Sequence, residues 1–402
     1  MNFSWIVSIG FSKDSTFAFG LLASLYWLSG WPNPASSNGV EAELIAIGSI
    51  SGTARDLSGF TGKLEEGTLV NQIGGFSAID YSGHENRYWV LADRGPADGA
   101  ASYPCRLHDL ALGIHSTDRT IQLKVMATLP LLSSKREPLT GSLRALPSDS
   151  QQRGNALDPE GIRLLPSGCF AISDEYGPAI DLFSAQGVRE RSWQLPKWMQ
   201  LTREPNLESA RRGAMPNRGL EGLTLATDGK SIIAAMQGPL IQDSYAKGKK
   251  RYSDFTRLIE LPIEGQRDAR HWLYRLSDSS NGLSEILAID HDHYLVLERD
   301  GETRSKAKCK RIYSIDTSMA TDVADRDQLD PKSLPEGIRE VDKQLVIDLL
   351  DPNLKIPDVY SLEKPEGLTW GPRLPDGRRV LIVCFDNDFN SDQDSLFLAF
   401  AL

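Results

Sequence analysis

Carboxylates recur at matched places along this 402-residue chain, and they recur with glycine beside them. The stretch "DPEGIRLLPSGCFAISDEYGP" from Asp158 carries acids at both ends of a short apolar pair of segments joined by a turn. Four other stretches align with it: "GGFSAIDYSGHENRYWVLADRGP" from Gly74, "GLEGLTLATDGKSIIAAMQGP" from Gly219, "GLSEILAIDHDHYLVLERDGE" from Gly282, and "KPEGLTWGPRLPDGRRVLIVCFDND" from Lys364. The aligned entrance positions are Ser77, Glu160, Glu221, Glu285 and Glu366. In an antiparallel hairpin, opposed residues have numbers that sum to a constant set by the turn. That rule puts Glu160 opposite Asp174, Glu366 opposite Asp386, Glu285 opposite Glu298 and Ser77 near Asp93, while Glu221 faces Met236 and Gln237. Every hairpin starts and ends on the same side, so Asp93, Glu160, Asp174, Glu175, Glu221, Glu285, Glu298, Glu366, Asp386 and Asp388 are expected around one mouth. Like charges that close repel unless a positive group sits among them. A hard divalent cation suits an all-oxygen donor set, and calcium, which takes about 6–8 oxygen ligands, is the natural candidate. Arg94, Arg299 and Lys364 are the alternative counter-charges, and a guanidinium there would also grip an anion in a fork. Asn155, Asn217 and Asn281, just upstream of a Glu, are weaker candidate ligands. Equally, a Glu-Gly pair before a strand can serve only to shape a turn.

The elements that would position these groups are short strands. The second segment of each repeat is almost continuously apolar ("CFAIS", "SIIAAM", "YLVLE", "VLIVCF"), which indicates burial on both faces. Further strand-like runs follow most hairpins, so each unit supplies about four strands, and no long amphipathic helical pattern competes. Four-stranded units repeated around an axis make a β-propeller. The expected fold is therefore all-β, a β-propeller with five blades counted, the long gaps leaving room for a sixth. Insertions are expected at 131–155, 197–218, 242–253 and 317–341. The last repeat lacks a fourth strand, and "EAELIAIGSI" near the start has no blade of its own. Pairing the two would close the ring and cover exposed edges.

The formal net charge of −10 and pI near 5.2 argue against a nucleic-acid or anionic-membrane partner. A composition of 40% hydrophobic and 24% charged residues is that of a chain able to bury a core. Residues 1–37 read as a signal peptide or N-terminal anchor: an apolar run from Phe17 to Trp31 is followed by small residues, with cleavage expected after Ser37. The run is shorter than the ~18–20 residues of a membrane span, which favours export to the periplasm or exterior. Residues 38–402 are expected to form one propeller, acting as a monomer on a small anionic ester. Of the four cysteines, Cys105 and Cys309 lie in polar stretches where a disulfide is conceivable. His291 and His293 read as solvated turn residues. The nucleophile-elbow, zinc-protease, P-loop and dinucleotide-binding motifs are all absent.

The motifs "NALDPEGI…FAISDEYGP", "NRGLEGLTLATDGKSIIAAMQGPLI", "LSEILAIDHDHYLVLERD" and "KPEGLTWG…DNDF" resemble the phytase-like family described as having esterase-like activity of phytase. The resemblance runs from about Ile50 to the C-terminus. It implies a secreted or envelope propeller that hydrolyses phosphoesters. The resemblance carries no catalytic residues of its own; from the hairpin register, Glu160 and Glu366 are expected to act with a bound cation, one carboxylate serving as base, and Arg94 or Arg299 to hold the phosphate. A metal-dependent lactonase or carboxylic esterase, and a binding propeller with a structural metal, are the competing readings.

Overall fold

The computed structural model describes residues 42–402 apart from 148–152, 203, 205 and 265–268. The expected signal peptide or anchor at 1–37 lies outside the described residues. The chain begins its fold with β1 (Glu43–Ile50). Blade 1 is β2 (Phe76–Tyr81), β3 (Arg87–Ala92), β4 (Arg106–His115) and β5 (Thr120–Pro130). Blade 2 is β6 (Pro159–Leu164), β7 (Phe170–Asp174), β8 (Ala179–Phe183) and β9 (Arg189–Gln194). Blade 3 starts with β10 (Leu220–Leu225) and β11 (Ser231–Met236), carries a small inserted hairpin of β12 (Tyr245–Lys247) and β13 (Lys250–Tyr252), and ends with β14 (Phe255–Pro262) and β15 (Arg270–Arg275). Blade 4 is β16 (Gly282–Ala288), β17 (His293–Arg299), β18 (Lys310–Asp316) and β19 (Asp342–Asp348). Blade 5 is β20 (Pro365–Arg373), β21 (Arg379–Phe385) and β22 (Ser395–Ala401).

β1 supplies the missing fourth strand of blade 5, pairing antiparallel with β22 from Glu43 opposite Ala401 to Ile50 opposite Ser395. It also meets β5 in parallel at Ile47 and Thr120, which joins blades 5 and 1 into one eight-stranded sheet. The ring closes as the unpaired "EAELIAIGSI" run and the incomplete last repeat required. Five blades account for the named strands among the described residues, and the long gaps hold loops rather than a sixth blade.

The burial of each strand follows its place in the blade. β11 and β22 are buried at every position, as their unbroken apolar sequences predict. The outer strands β5 and β19 are partly exposed, with one fully buried position each. Apolar side chains fill the seams between blades: Leu91, Leu107, Ile162 and Phe170 between blades 1 and 2, Ile180, Leu223 and Ile232 between 2 and 3, Ile233, Trp272, Ile286 and Val296 between 3 and 4.

The inner strands β2, β6, β10, β16 and β20 pack against one another in a ring around the axis. They approach backbone to backbone, which explains the glycine of the repeated Glu-Gly pair. A Cβ on Gly222 would lie 2.6 Å from the Cα of Glu285, and one on Gly367 would lie 2.8 Å from the Cα of Ala78. Neither backbone can withdraw without opening the ring.

The axis itself is pinned by Arg163 of β6. Its buried guanidinium donates to the carbonyls of Ile162 (2.5 Å), Ile286 (3.0 Å), Ile79 (3.3 Å) and Leu368 (3.3 Å), which belong to four different blades. Glu285 sits 3.2 Å from it and accepts from the Leu223 amide of the remaining blade at 2.9 Å.

No disulfide joins Cys105 to Cys309. Both are free and buried, Cys105 beside the Leu157 carbonyl and Cys309 beside that of Glu298. The polar sequence around them is that of loops folded over the blade ends, so hydrophilic neighbours did not signify an exposed sulfur. His291 and His293 occupy the β16–β17 turn, bonded to Asp292 and Asp290.

Candidate active site

The mouth of the ring is shaped by a recurring irregularity: all five inner hairpins shift register where they begin. In blade 1 the pairing passes from Phe76–Ala92 to Ala78–Leu91, leaving Ser77 without a partner. In blade 4 it passes from Leu283–Glu298 to Glu285–Leu297, leaving Ser284, and in blade 5 from Pro365–Phe385 to Gly367–Cys384, leaving Glu366. Glu160 and Glu221 fall within the matching shifts of blades 2 and 3. A bulge adds one residue to one strand and re-aims its side chain. The structurally equivalent entrance residues are therefore Ser77, Glu160, Glu221, Ser284 and Glu366. The residues that close the hairpins opposite them are Asp93, Glu175, Gln237, Arg299 and Asp386.

This register corrects three of the expected positions. Glu285 lies one residue past the bulge, and a one-residue step in a strand reverses the face. It points into the channel beneath the mouth, onto Arg163 and the amides of Leu223 and Ile286. Burial raises its carboxyl to about 7 against the opposing pull of Arg163. Asp174 and Glu298 each stand one residue before the hairpin-closing Glu175 and Arg299, so strand alternation turns them into their blades instead of the mouth. Asp174 receives Arg153 at 2.5 Å and the amides of Asp158 and Tyr176. Glu298 takes hydrogen bonds from Tyr274 (2.8 Å), the Ser277 amide (2.7 Å), Asn281 (2.8 Å) and Lys343 (3.0 Å). Both carboxylates are thus engaged by partners of their own blades. Asp388 lies exposed at the rim against Lys364. Asn155 bonds Glu137, outside the group.

Asp93, Glu160, Glu175, Glu221, Glu366 and Asp386 do belong to one electrostatic cluster, and the fold adds Asp158. One carboxylate oxygen from each of Asp158, Glu160 and Glu175 lies within 4.8 Å of the others. The Asp158 signal was present in the sequence: it stands two residues before Glu160, and a strand period of two puts both on one side. Lys364 and Glu366 repeat that spacing in blade 5.

Cations are interleaved with these acids. Arg94 bonds Asp158 at 2.6 Å, lies 3.7 Å from Glu175 and donates to Asn217. Arg299 holds Glu366 at 2.6 Å and is steadied by the Ser284 hydroxyl at 2.8 Å. Lys364 spans Asp386 and Asp388. Gln237 donates to Glu221, and the Gly219 amide to Glu175 at 2.7 Å.

Even so, acid exceeds base, and the protonation of the group records it. Burial, then repulsion from Glu221, Asp158 and Glu175, pushes Glu160 well above the ordinary carboxylate range. Burial with Glu175 and Glu366 does the same to Glu221, and burial with Asp386 and Asp158 to Asp93. Glu175 is raised to about 8 by burial and Asp158, and Asp386 to about 6 by burial despite Lys364. One oxygen of Asp158, Oδ1, is buried and reached by no nitrogen or hydroxyl donor, and the Asp158 carboxylate shares a side-chain hydrogen bond with the raised Glu160 carboxyl. A buried carboxylate oxygen without such a donor, among hard oxygen ligands, fits a divalent cation such as calcium or magnesium.

A pH dependence follows. Carboxyls raised in the fold keep protons that the unfolded chain releases above about pH 4.5. Their contribution to stability is therefore complete below that pH and is lost as pH rises towards about 8, the value reached by Glu175. The metal-free protein is expected to be less stable at pH 8 than at pH 5 by on the order of several kcal/mol. Millimolar calcium should remove most of that difference and release protons on binding. Thermal melts at both pH values, with and without calcium, check this; no calcium-dependent shift at pH 8 would count against a cation site.

The chain is similar in part to several known proteins. A protein of Arthroderma benhamiae described as an uncharacterized secreted protein is 25% identical over 274 residues, 55% of this chain and 53% of its own length. The chain thus spans about half the length of that relative. Among solved structures, a GH43 β-1,3-galactosidase is similar at TM-score 0.41 and 10% identity, covering 86% of this chain and 94% of its own. The PQQ-bound aldose sugar dehydrogenase of Streptomyces coelicolor is similar at TM-score 0.39 and 10% identity, covering 91% and 97%. Residues 71–389, from the loop before blade 1 to the end of the Asp386–Phe389 cluster, match the family described as having esterase-like activity of phytase, and the chain belongs to this phytase-like family.

Proposed function

We propose that the protein hydrolyses phosphate esters with calcium held at the axial mouth, and that it acts as an exported monomer on a small anionic ester. The observation that carries this reading is the close approach of the Asp158, Glu160 and Glu175 carboxylates, with the Arg94 guanidinium beside them. Those three carboxylates would hold the cation. Bound there, it would lower the pKa of a water and offset charge on the phosphoryl oxygens.

The chain's own groups supply the remainder. Arg299 is fixed through Nε and Nη2, which orients Nη1 for a phosphoryl oxygen. Arg94 is fixed by Asp158 on the other side of the mouth. Glu366, held by Arg299, accepts a proton from the attacking water. Glu221, kept protonated by burial and by Glu175, donates one to the departing alcohol oxygen as the phosphorus–oxygen bond breaks. The match to a relative described as secreted supports export. Among the described residues no helix is long and apolar enough to cross a membrane.

The purified protein should release phosphate from phosphomonoesters, lose about 10²-fold or more of that rate with chelator, and recover it with calcium. Hydrolysis of lactones without phosphate release would transfer the site to the lactonase reading, and hydrolysis indifferent to chelator would remove the cation from it.

A further inference from the structure

A second feature stands beside the mouth. A cavity of about 240 Å³ lies between the loop carrying Leu207 and Met215 and the hairpin β12–β13. Building on the hydrolase reading, we propose that this cavity receives the leaving-group half of the ester, and that this half is a ring-sized apolar alcohol bearing its own negative charge.

The floor and the rim differ in character, and each selects for a part of that group. The floor is Leu207 and Met215, which pack with Ala210 and Ile241 into a small apolar cluster. Such a floor offers no partner to a hydroxyl, and burying one unpaired is costly, so the face that meets Leu207 and Met215 has to be apolar, while Tyr252 and Ser280 supply hydroxyls only at the walls. The volume corresponds to about eight waters, enough for one substituted ring and too little for a polymer. Tyr252 adds an aromatic wall.

The rim is cationic in a chain whose net charge is −10. The hairpin reads "KGKKR" from Lys247 to Arg251. Arg251 is committed to structure, bonding the carbonyls of Leu207 (2.9 Å) and Ala210 (3.0 Å), which fixes the cavity wall. Lys249 and Lys250 are exposed and form no ion pair among the described residues, so their charge is available to a ligand.

Arg218 connects the cavity to the mouth. It lines the cavity, is anchored to the Asn281 carbonyl at 2.6 Å, and lies in the field of Arg299, Glu175 and Glu221. Its neighbour Asn217 accepts from Arg94. A phosphate between Arg94 and Arg299 would therefore have its ester oxygen on the side where Arg218 leads to the apolar floor.

The test compares phenyl phosphate with 4-carboxyphenyl phosphate on the intact protein, together with binding of the product 4-hydroxybenzoate followed by NMR. The expected result is a kcat/KM about tenfold higher for the carboxylated ester, a ratio falling towards one in Lys249→Ala/Lys250→Ala, and saturable binding of 4-hydroxybenzoate below about 10 mM. Lys230→Ala, on a turn elsewhere in blade 3, should leave the ratio as it is. Hydrolysis of both esters with equal kcat/KM and no saturation by 4-hydroxybenzoate overturns the subsite and leaves the hydrolase reading standing. Saturation lost in Lys249→Ala/Lys250→Ala, with neither ester hydrolysed, supports the subsite as a binding site and overturns the hydrolase reading instead.

Discussion

Exchange of Asp158 for asparagine together with Glu160 for glutamine is expected to weaken calcium binding by at least about 10²-fold and to lower kcat/KM by about 10³-fold. The exchanges keep shape and remove charge, so the loss reports on the donor set. Asp158 and Glu160 supply two of the three carboxylates that approach one another at the mouth. Asp158 also pairs with Arg94, and breaking a buried pair costs about 3–5 kcal/mol, so folding has to be monitored alongside. Asp174→Asn provides the contrast. It breaks an equally buried pair, with Arg153, but on the blade side of the strand. That variant should lose stability while its calcium affinity, measured by titration calorimetry, stays within about threefold of the parent. Equal loss of affinity in both would mean that the mouth is held together as a unit and that the register argument selects nothing.

Replacement of Arg163 by methionine should lower stability by about 3–5 kcal/mol. Its guanidinium serves carbonyls from four blades, and hydrogen bonds from a charged donor are worth about 1.5–3 kcal/mol each when made. Methionine fills part of the volume but leaves those acceptors with a partner that cannot donate. It also removes the charge facing Glu285, whose carboxyl already sits at about 7. Without Arg163 that carboxyl rises further, the folded form holds its proton to higher pH, and the deficit should be greater at pH 8 than at pH 5. Measured against Glu285→Gln alone, the double variant Arg163→Met/Glu285→Gln should show the same deficit at both pH values, because the titrating carboxyl is absent from both. Urea unfolding midpoints at the two pH values measure all of this. A loss below about 1 kcal/mol would show that the ring is held by its blade seams without the axial pin.

The two predictions separate a pair of roles that sequence spacing had merged. Glu160 and Glu285 occupy aligned columns of the repeat, each ahead of an apolar strand. In blade 4 the residue at the mouth is Ser284, which steadies Arg299, while Glu285 has become an axial partner for Arg163. No spacing rule in a single sequence shows which of two adjacent residues is the extra one in a bulge. The neighbouring strand's hydrogen bonds decide it.

Periodicity and composition by themselves determined the five hairpins, the buried inner strands, the borrowed closing strand and the crowding of acids at one end of the ring. These depend on apolar runs, turns and repetition, which are local, and on closure, which any propeller must satisfy. Tertiary structure alone decided which carboxylates meet. Asp174 and Glu298 turn away because each stands one residue before a mouth-facing residue, Asp158 joins because it shares a face with Glu160, and Arg163 reaches the axis because backbones from four blades converge there. Each of those outcomes turns on one residue of register, and register is a property of two strands together.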